Sequence, residues 1–114
     1  MAAERAPEVP SVPYYLVLLV PSVNHAAGGQ HFAAHVKFID EMSAANVVLL
    51  GGDFEATIEG AEAAYLLHTA SRAEAEAWAA NDPLVKHAVY STKVVAWHLV
   101  GISQTAIDPS LRVG

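Results

Sequence analysis

The sequence predicts a single α+β domain, an antiparallel sheet with two helices packed on one of its faces. Three observations carry this expectation. A chain of 114 residues has room for one domain and little more. Two stretches read as helices, and four short apolar runs bounded by glycine, proline or asparagine read as strands. Their order along the chain is β-α-β-β-α-β.

Met1 to Pro10 is rich in Ala, Glu and Pro without an apolar core, so 1–12 is expected to be a loose tail and not a signal peptide. The domain is expected over 13–100. Tyr14 to Val20 is continuously apolar instead of alternating, which fits a strand buried on both faces. Pro21 to Gln30 is a loop, with Gly28-Gly29 just ahead of the first helix. From His31 to Ala45, Phe32, Val36, Ile39 and Met42 recur at intervals of three and four and mark one helix face. His35 borders that stripe, and His31 lies one turn before it on the same side.

After a one-residue break at Asn46, Val47-Val48-Leu49-Leu50 opens a core strand that is stopped by Gly51-Gly52 and ends near Asp53. Phe54 to Gly60 is expected to be the turn into an antiparallel third strand, Ala63 to Thr69. Ser71 and Glu74 spell a capping box, in which the serine oxygen caps the Glu74 amide and Glu74 reaches back. The second helix then runs to Ala80. Pro83 stops it, because proline disfavours helical geometry at the preceding residue. Leu84 to His87 is one short turn, Thr92 to Val100 the fourth strand, and 101–114 an aperiodic tail.

This order is the ferredoxin-like arrangement, a four-stranded antiparallel sheet with two helices on one face. Two helices cover only one side, yet strands one, two and four carry apolar residues towards both. Hydrophobic residues make up 54% of the chain, with a mean hydropathy of +0.31. The uncovered face needs an apolar partner, and a second copy of the same face is the economical one. A homodimer with sheet packed on sheet is therefore expected. No apolar run approaches the roughly 18 residues of a membrane span. A net charge of −6 without a basic cluster argues against nucleic acid. With no cysteine there is no disulfide framework or thiolate site, which fits the cytoplasm.

Several motifs bear on chemistry. Gly51-Gly52-Asp53-Phe54 opens like a diguanylate cyclase signature, but Glu55 follows the phenylalanine instead of preceding it, and no basic phosphate-binding residue is nearby. Glycines at a strand end more simply let a ligand or backbone come close. His31 and His35, at i and i+4, have metal-helix spacing, but Phe32 stands where a zincin needs glutamate and no third ligand is evident. His35 with Asp82 offers a carboxylate-oriented imidazole suited to general acid or base work, while Asp82-Pro83 is also ordinary turn chemistry. Trp78 and Trp97 are expected to be core or interface anchors. Tyr14, Tyr15, Tyr65 and Tyr90 are all able to bring a hydroxyl to a cleft. His98 is expected to face opposite to Trp97. No phosphate-cradling glycine loop or nucleophile elbow is present.

Taken together, the pieces resemble the YciI-like (YCII-related) family of small dimeric α+β barrel proteins, over roughly Tyr14 to Leu99. They are the apolar first strand, His35, Asn46 to Gly52, Ser71 to Ala75, Asp82-Pro83-Leu84-Val85, Val89-Tyr90 and Val94 to Trp97. The resemblance implies a His35–Asp82 active-site dyad. It implies a cofactor-independent lyase or isomerase acting on a small aromatic-derived, quinoid or lactone ring, with no metal. A cofactor-free monooxygenase of the same barrel superfamily, a non-catalytic ligand-binding dimer, and a metal or haem site on His31 and His35 are the alternatives. The expected substrate contacts are His31, Gly51, Gly52 and His87. Two departures stand out. Phe32-Ala33-Ala34 replaces a frequent Arg-Pro-x before the histidine, and His87-Ala88 replaces a common Ala-Gly.

Overall fold

The computed structural model describes residues 13–101. In chain order the elements are β1 (Tyr14–Pro21), α1 (Gly28–Ala44), β2 (Val48–Ile58), β3 (Ala61–Leu67), α2 (Arg72–Ala80), α3 (Pro83–Lys86) and β4 (Tyr90–Trp97), with a short 3-10 turn at His25–Ala27. The four strands form one antiparallel sheet in the order β2-β3-β1-β4. The α+β, ferredoxin-like expectation therefore stands. The expected tail over 1–12 and all but Gly101 of the one over 101–114 lie outside the described residues.

β1 is central, paired to β3 on one side and β4 on the other, which is why its sequence does not alternate. Val17, Leu18 and Leu19 are all buried. On the helix-covered face, Tyr15, Val17, Leu19, Tyr65 and Leu67 pack with Ala75 and Ala79 of α2, and Ile39 and Met42 of α1 join at the rim. On the other face the register sets Val95, Leu16, Leu66 and Leu50 in one row across all four strands. β4 alternates, and its outward residues Val95 and Trp97 remain 38% and 48% exposed.

Several boundaries differ from the sequence reading. α1 begins at Gly28, ahead of the expected His31, so the glycine pair lies inside the helix. Gly28 sits where a Cβ would come within 3.3 Å of Val89, which a bulkier residue would crowd. At the other end Asn46 adopts φ 61, donates to the Ser43 carbonyl, and Val47 donates to Met42. That is a Schellman stop, for which asparagine is one of the few suitable residues. β2 continues to Ile58, past the expected end at Asp53. The turn is only Glu59-Gly60, both at positive φ as mirror-image hairpin turns demand. β3 and β4 begin and end two or three residues earlier than read from the sequence. Ser71 caps α2 by accepting from the Glu74 amide, while Glu74 reaches back to the Ala70 amide, one residue further than a standard capping box.

One irregularity in β2 decides which of its side chains face the helices. Val48 pairs with Leu67, but Leu50 pairs with Leu66, so Leu49 is an extra residue. Without it, Leu50 would stand opposite Tyr65 on the helix-covered face. With it, Gly51 takes that place and Leu50 turns outward. A Cβ on Gly51 would lie 2.8 Å from the Tyr65 Cβ and 3.2 Å from the Ala64 carbonyl oxygen. Gly51→Ala should therefore force the strands apart and lower stability by about 1–3 kcal/mol, read as a denaturation midpoint.

α3 ends on a second Schellman stop, with Ala88 donating to Val85 and Val89 to Leu84. Here the residue at φ 57 is Ala88, and the left-handed region is costly for alanine. Ala88→Gly should raise unfolding free energy by about 1 kcal/mol in the same denaturation measurement.

Candidate functional site

His35, near the middle of α1, and Asp82, between α2 and α3, meet across the helical layer. The His35 Nδ1 lies 2.9 Å from Oδ1 and 3.0 Å from Oδ2 of Asp82. Asp82 has no solvent exposure, and its side chain also caps α3, Oδ1 accepting from the Leu84 amide at 3.0 Å. Tyr65 donates its hydroxyl to Oδ2 at 3.4 Å. The turn role of Asp82 and its pairing with histidine are therefore one arrangement. Burial, then the charge and hydrogen bond of Asp82, hold the Tyr65 hydroxyl far above its usual range, so it stays a proton donor. A carboxylate facing Nδ1 places the neutral ring's proton there and leaves Nε2 as the lone-pair nitrogen.

His35 opens onto a cleft. None of the α1 residues is fully buried. Ile39 and Met42 reach the core, while Phe32 and Val36 remain 58% and 40% exposed. The apolar stripe of this helix is thus core at one end and cleft wall at the other, not core throughout. A cleft of about 190 Å³ lies between α1 and the sheet, lined among others by Phe32, His35, Val36, Gly51, Asp53 and Tyr65. A second, of about 210 Å³, meets Gly28, Gly29, His35, Asp53 and Tyr90. His35 lines both. The space exists because Gly51 and Ala63 supply almost no side chain in two adjacent rows of the sheet, beside Tyr65 and Leu19.

The other residues singled out from the sequence fall in three places. Gly51 and Gly52 line the cleft beside His35. His31 stacks face to face on His87, ring centres 3.9 Å apart and planes within 6°. Neither of those two is among the residues lining the clefts. Their contact joins α1 to the end of α3 one turn from the His35–Asp82 pair. Among the described residues no three His, Asp or Glu side chains gather at metal-binding distance. Trp78 packs against the core, and His98 is exposed just beyond the end of β4.

A polar cluster that sequence reading did not assemble sits at the cleft's far end. Tyr90 donates to Glu62 at 2.6 Å, and the His25 Nε2 lies 3.1 Å from the same carboxylate oxygen and 3.3 Å from the Tyr90 hydroxyl. Of the four candidate tyrosines, Tyr65 and Tyr90 are the two beside the cleft. Strand parity held the signal for Tyr65, which shares a face with Leu19 and Val17. No local pattern links His25 to Glu62 across 37 positions.

Among the described residues no helix is long and apolar enough to cross a membrane. No curated protein matches the sequence. Among solved structures, the chain is similar to the 5-chloro-2-hydroxyhydroquinone dehydrochlorinase of Burkholderia phenoliruptrix, solved in complex with 2,5-dihydroxybenzoquinone. The TM-score is 0.57 at 18% identity, over 74% of this chain and 92% of that one, a likeness of fold. The family model of the YCII-related domain matches residues 14–98, from the first strand to the end of the fourth, and the chain belongs to that family.

Proposed function

We propose that this protein is a cofactor-independent lyase or isomerase acting on a small aromatic-derived, quinoid or lactone ring, with His35 as general base and Asp82 as its orienter. The carrying observation is the His35 Nδ1 held against a fully buried carboxylate, with the same ring lining an apolar cleft. In this reading Nε2 takes a proton from a carbon next to a ring carbonyl. The C–H electron pair becomes a ring double bond as a leaving group departs with its own pair. In an isomerisation, the proton returns to another ring atom. Asp82 stabilises the imidazolium without accepting its proton. The dehydrochlorinase activity of the structural neighbour supports elimination as the first reaction to examine.

Gly51 and Gly52 let the substrate approach the β2 backbone. The His31–His87 stack is assigned a bracing role for the base-bearing helix instead of ring contact, since neither residue lines the cleft. The functional unit proposed is a cytoplasmic homodimer, the outward row Val95, Leu16, Leu66 and Leu50 meeting its counterpart in a second copy. A non-catalytic binding module is the second reading, favoured by the open, largely apolar wall of Phe32 and Val36.

Nitrogen-detected NMR of the histidine rings separates the two. In the wild type His35 should show the Nδ1–H tautomer, and Asp82→Asn should abolish that preference while leaving His98 unmoved. On a turned-over ring substrate, His35→Ala should lower kcat by about 10²–10⁴-fold with binding retained. Full turnover by His35→Ala would remove it as the base, and an unaltered tautomer in Asp82→Asn would leave Asp82 as a helix cap alone.

A further inference from the structure

The His25–Glu62–Tyr90 cluster has no part in the base chemistry, yet it borders the same cleft. Tyr90 and His35 line one cavity, and Tyr90, Glu62 and Asp53 line the adjoining one, of about 500 Å³. The 2.6 Å bond commits the Tyr90 proton to Glu62, a short, charge-assisted contact. Partial burial, the Glu62 bond and charge, and the charge of Asp53 push the Tyr90 hydroxyl up to about 12. The hydrogen bond from Tyr90 holds Glu62 below the usual carboxylate range against the opposing effect of burial, and the hydrogen bond and charge of His25 add to the lowering. Near neutral pH Tyr90 is therefore a phenol whose proton is already used, and its oxygen can only accept from a ligand. Glu62 and Asp53 are acceptors too. Among the residues lining the three cavities there is no lysine or arginine.

We propose that Tyr90 and Glu62 are the positioning pair for a hydrogen-bond-donating group of the substrate, a ring hydroxyl. The pair acts opposite the His35 end of the cleft and selects neutral hydroxylated rings over ethers and carboxylates. Resting on His35 as the base, this assigns the other end of the same substrate. His25 steadies Glu62, tying the loop before α1 to β3. An ether oxygen meets only acceptors there and loses its partner. A carboxylate meets two like charges with no lysine or arginine in the lining to offset them, and the nearby His25 imidazole is already engaged with Glu62.

Three stable probes test this by calorimetric or ligand-observed NMR titration: hydroquinone, its dimethyl ether, and gentisate, the ring-carboxylated hydroquinone. The wild type should bind hydroquinone about tenfold or more tightly than either relative, the size expected of one hydrogen bond to a charged or charge-coupled group. Tyr90→Phe combined with Glu62→Ala removes both acceptors of the pair, and Glu62→Ala alone frees the phenol proton to serve the ether. Either variant should collapse the preference over the ether, with the His35 tautomer unchanged as the mark of an intact site. The proposal is overturned if the wild type binds none of the three, if it does not favour hydroquinone, or if the preference survives both substitutions. His35→Ala should keep the preference, so a wrong base and a wrong positioning pair give different results.

Discussion

A carboxylate withdrawn from water must be compensated where it sits. Asp82 is fully buried, and an ionised group in that position costs several kcal/mol unless its oxygens are satisfied. Three donors from three elements do so: the His35 ring of α1, the Leu84 amide at the start of α3, and the Tyr65 hydroxyl of β3. None of these elements can shift without exposing or orphaning the charge. This matters most for α1, which has no fully buried residue to fix its position. Much of what a hydrophobic core does for an ordinary helix is done here by one hydrogen-bonded anion, helped by the stacked imidazoles of His31 and His87 one turn away.

The space beside that anion is equally a product of local chemistry. One extra residue, Leu49, shifts the phase of β2 so that a glycine instead of a leucine faces Tyr65. Ala63 occupies the neighbouring row, beside Leu19. A cavity results because two small residues stand where the rest of the sheet presents Val17, Leu19 and Leu67. The phase shift also sends Leu50 to the outer face, where it joins Val95 in the exposed apolar row.

Much of this was legible in the sequence. Continuous apolarity in Tyr14 to Val20 marked the central strand, and Ser71 with Glu74 marked the start of α2. Asn46 marked the break after α1, which the structure shows to be a left-handed stop. The pairing of His35 with Asp82 was one candidate among several on the residues alone, since 47 positions separate them, and the family resemblance raised it above the others. Other features were hidden for definite reasons. The length of β2 was masked by Gly51 and Gly52, which read as punctuation but sit inside a strand through the bulge. Phe32 and Val36 fit a core pattern because a cleft wall and a core wall share one periodicity. The His25–Glu62–Tyr90 cluster depends on three elements converging, and no window of sequence holds all three.

The incomplete burial of α1 gives occupancy of the cleft a second meaning. Phe32 and Val36 are apolar side chains still waiting for contact, and a ring filling the space beneath them would finish the packing that folding left undone. Whatever compound belongs there is then part of the molecule's interior as well as its cargo. By mass action it should raise the unfolding temperature, and at equal concentration the more so the tighter it binds. The melting curve becomes a selector among candidate compounds before any reaction has been observed.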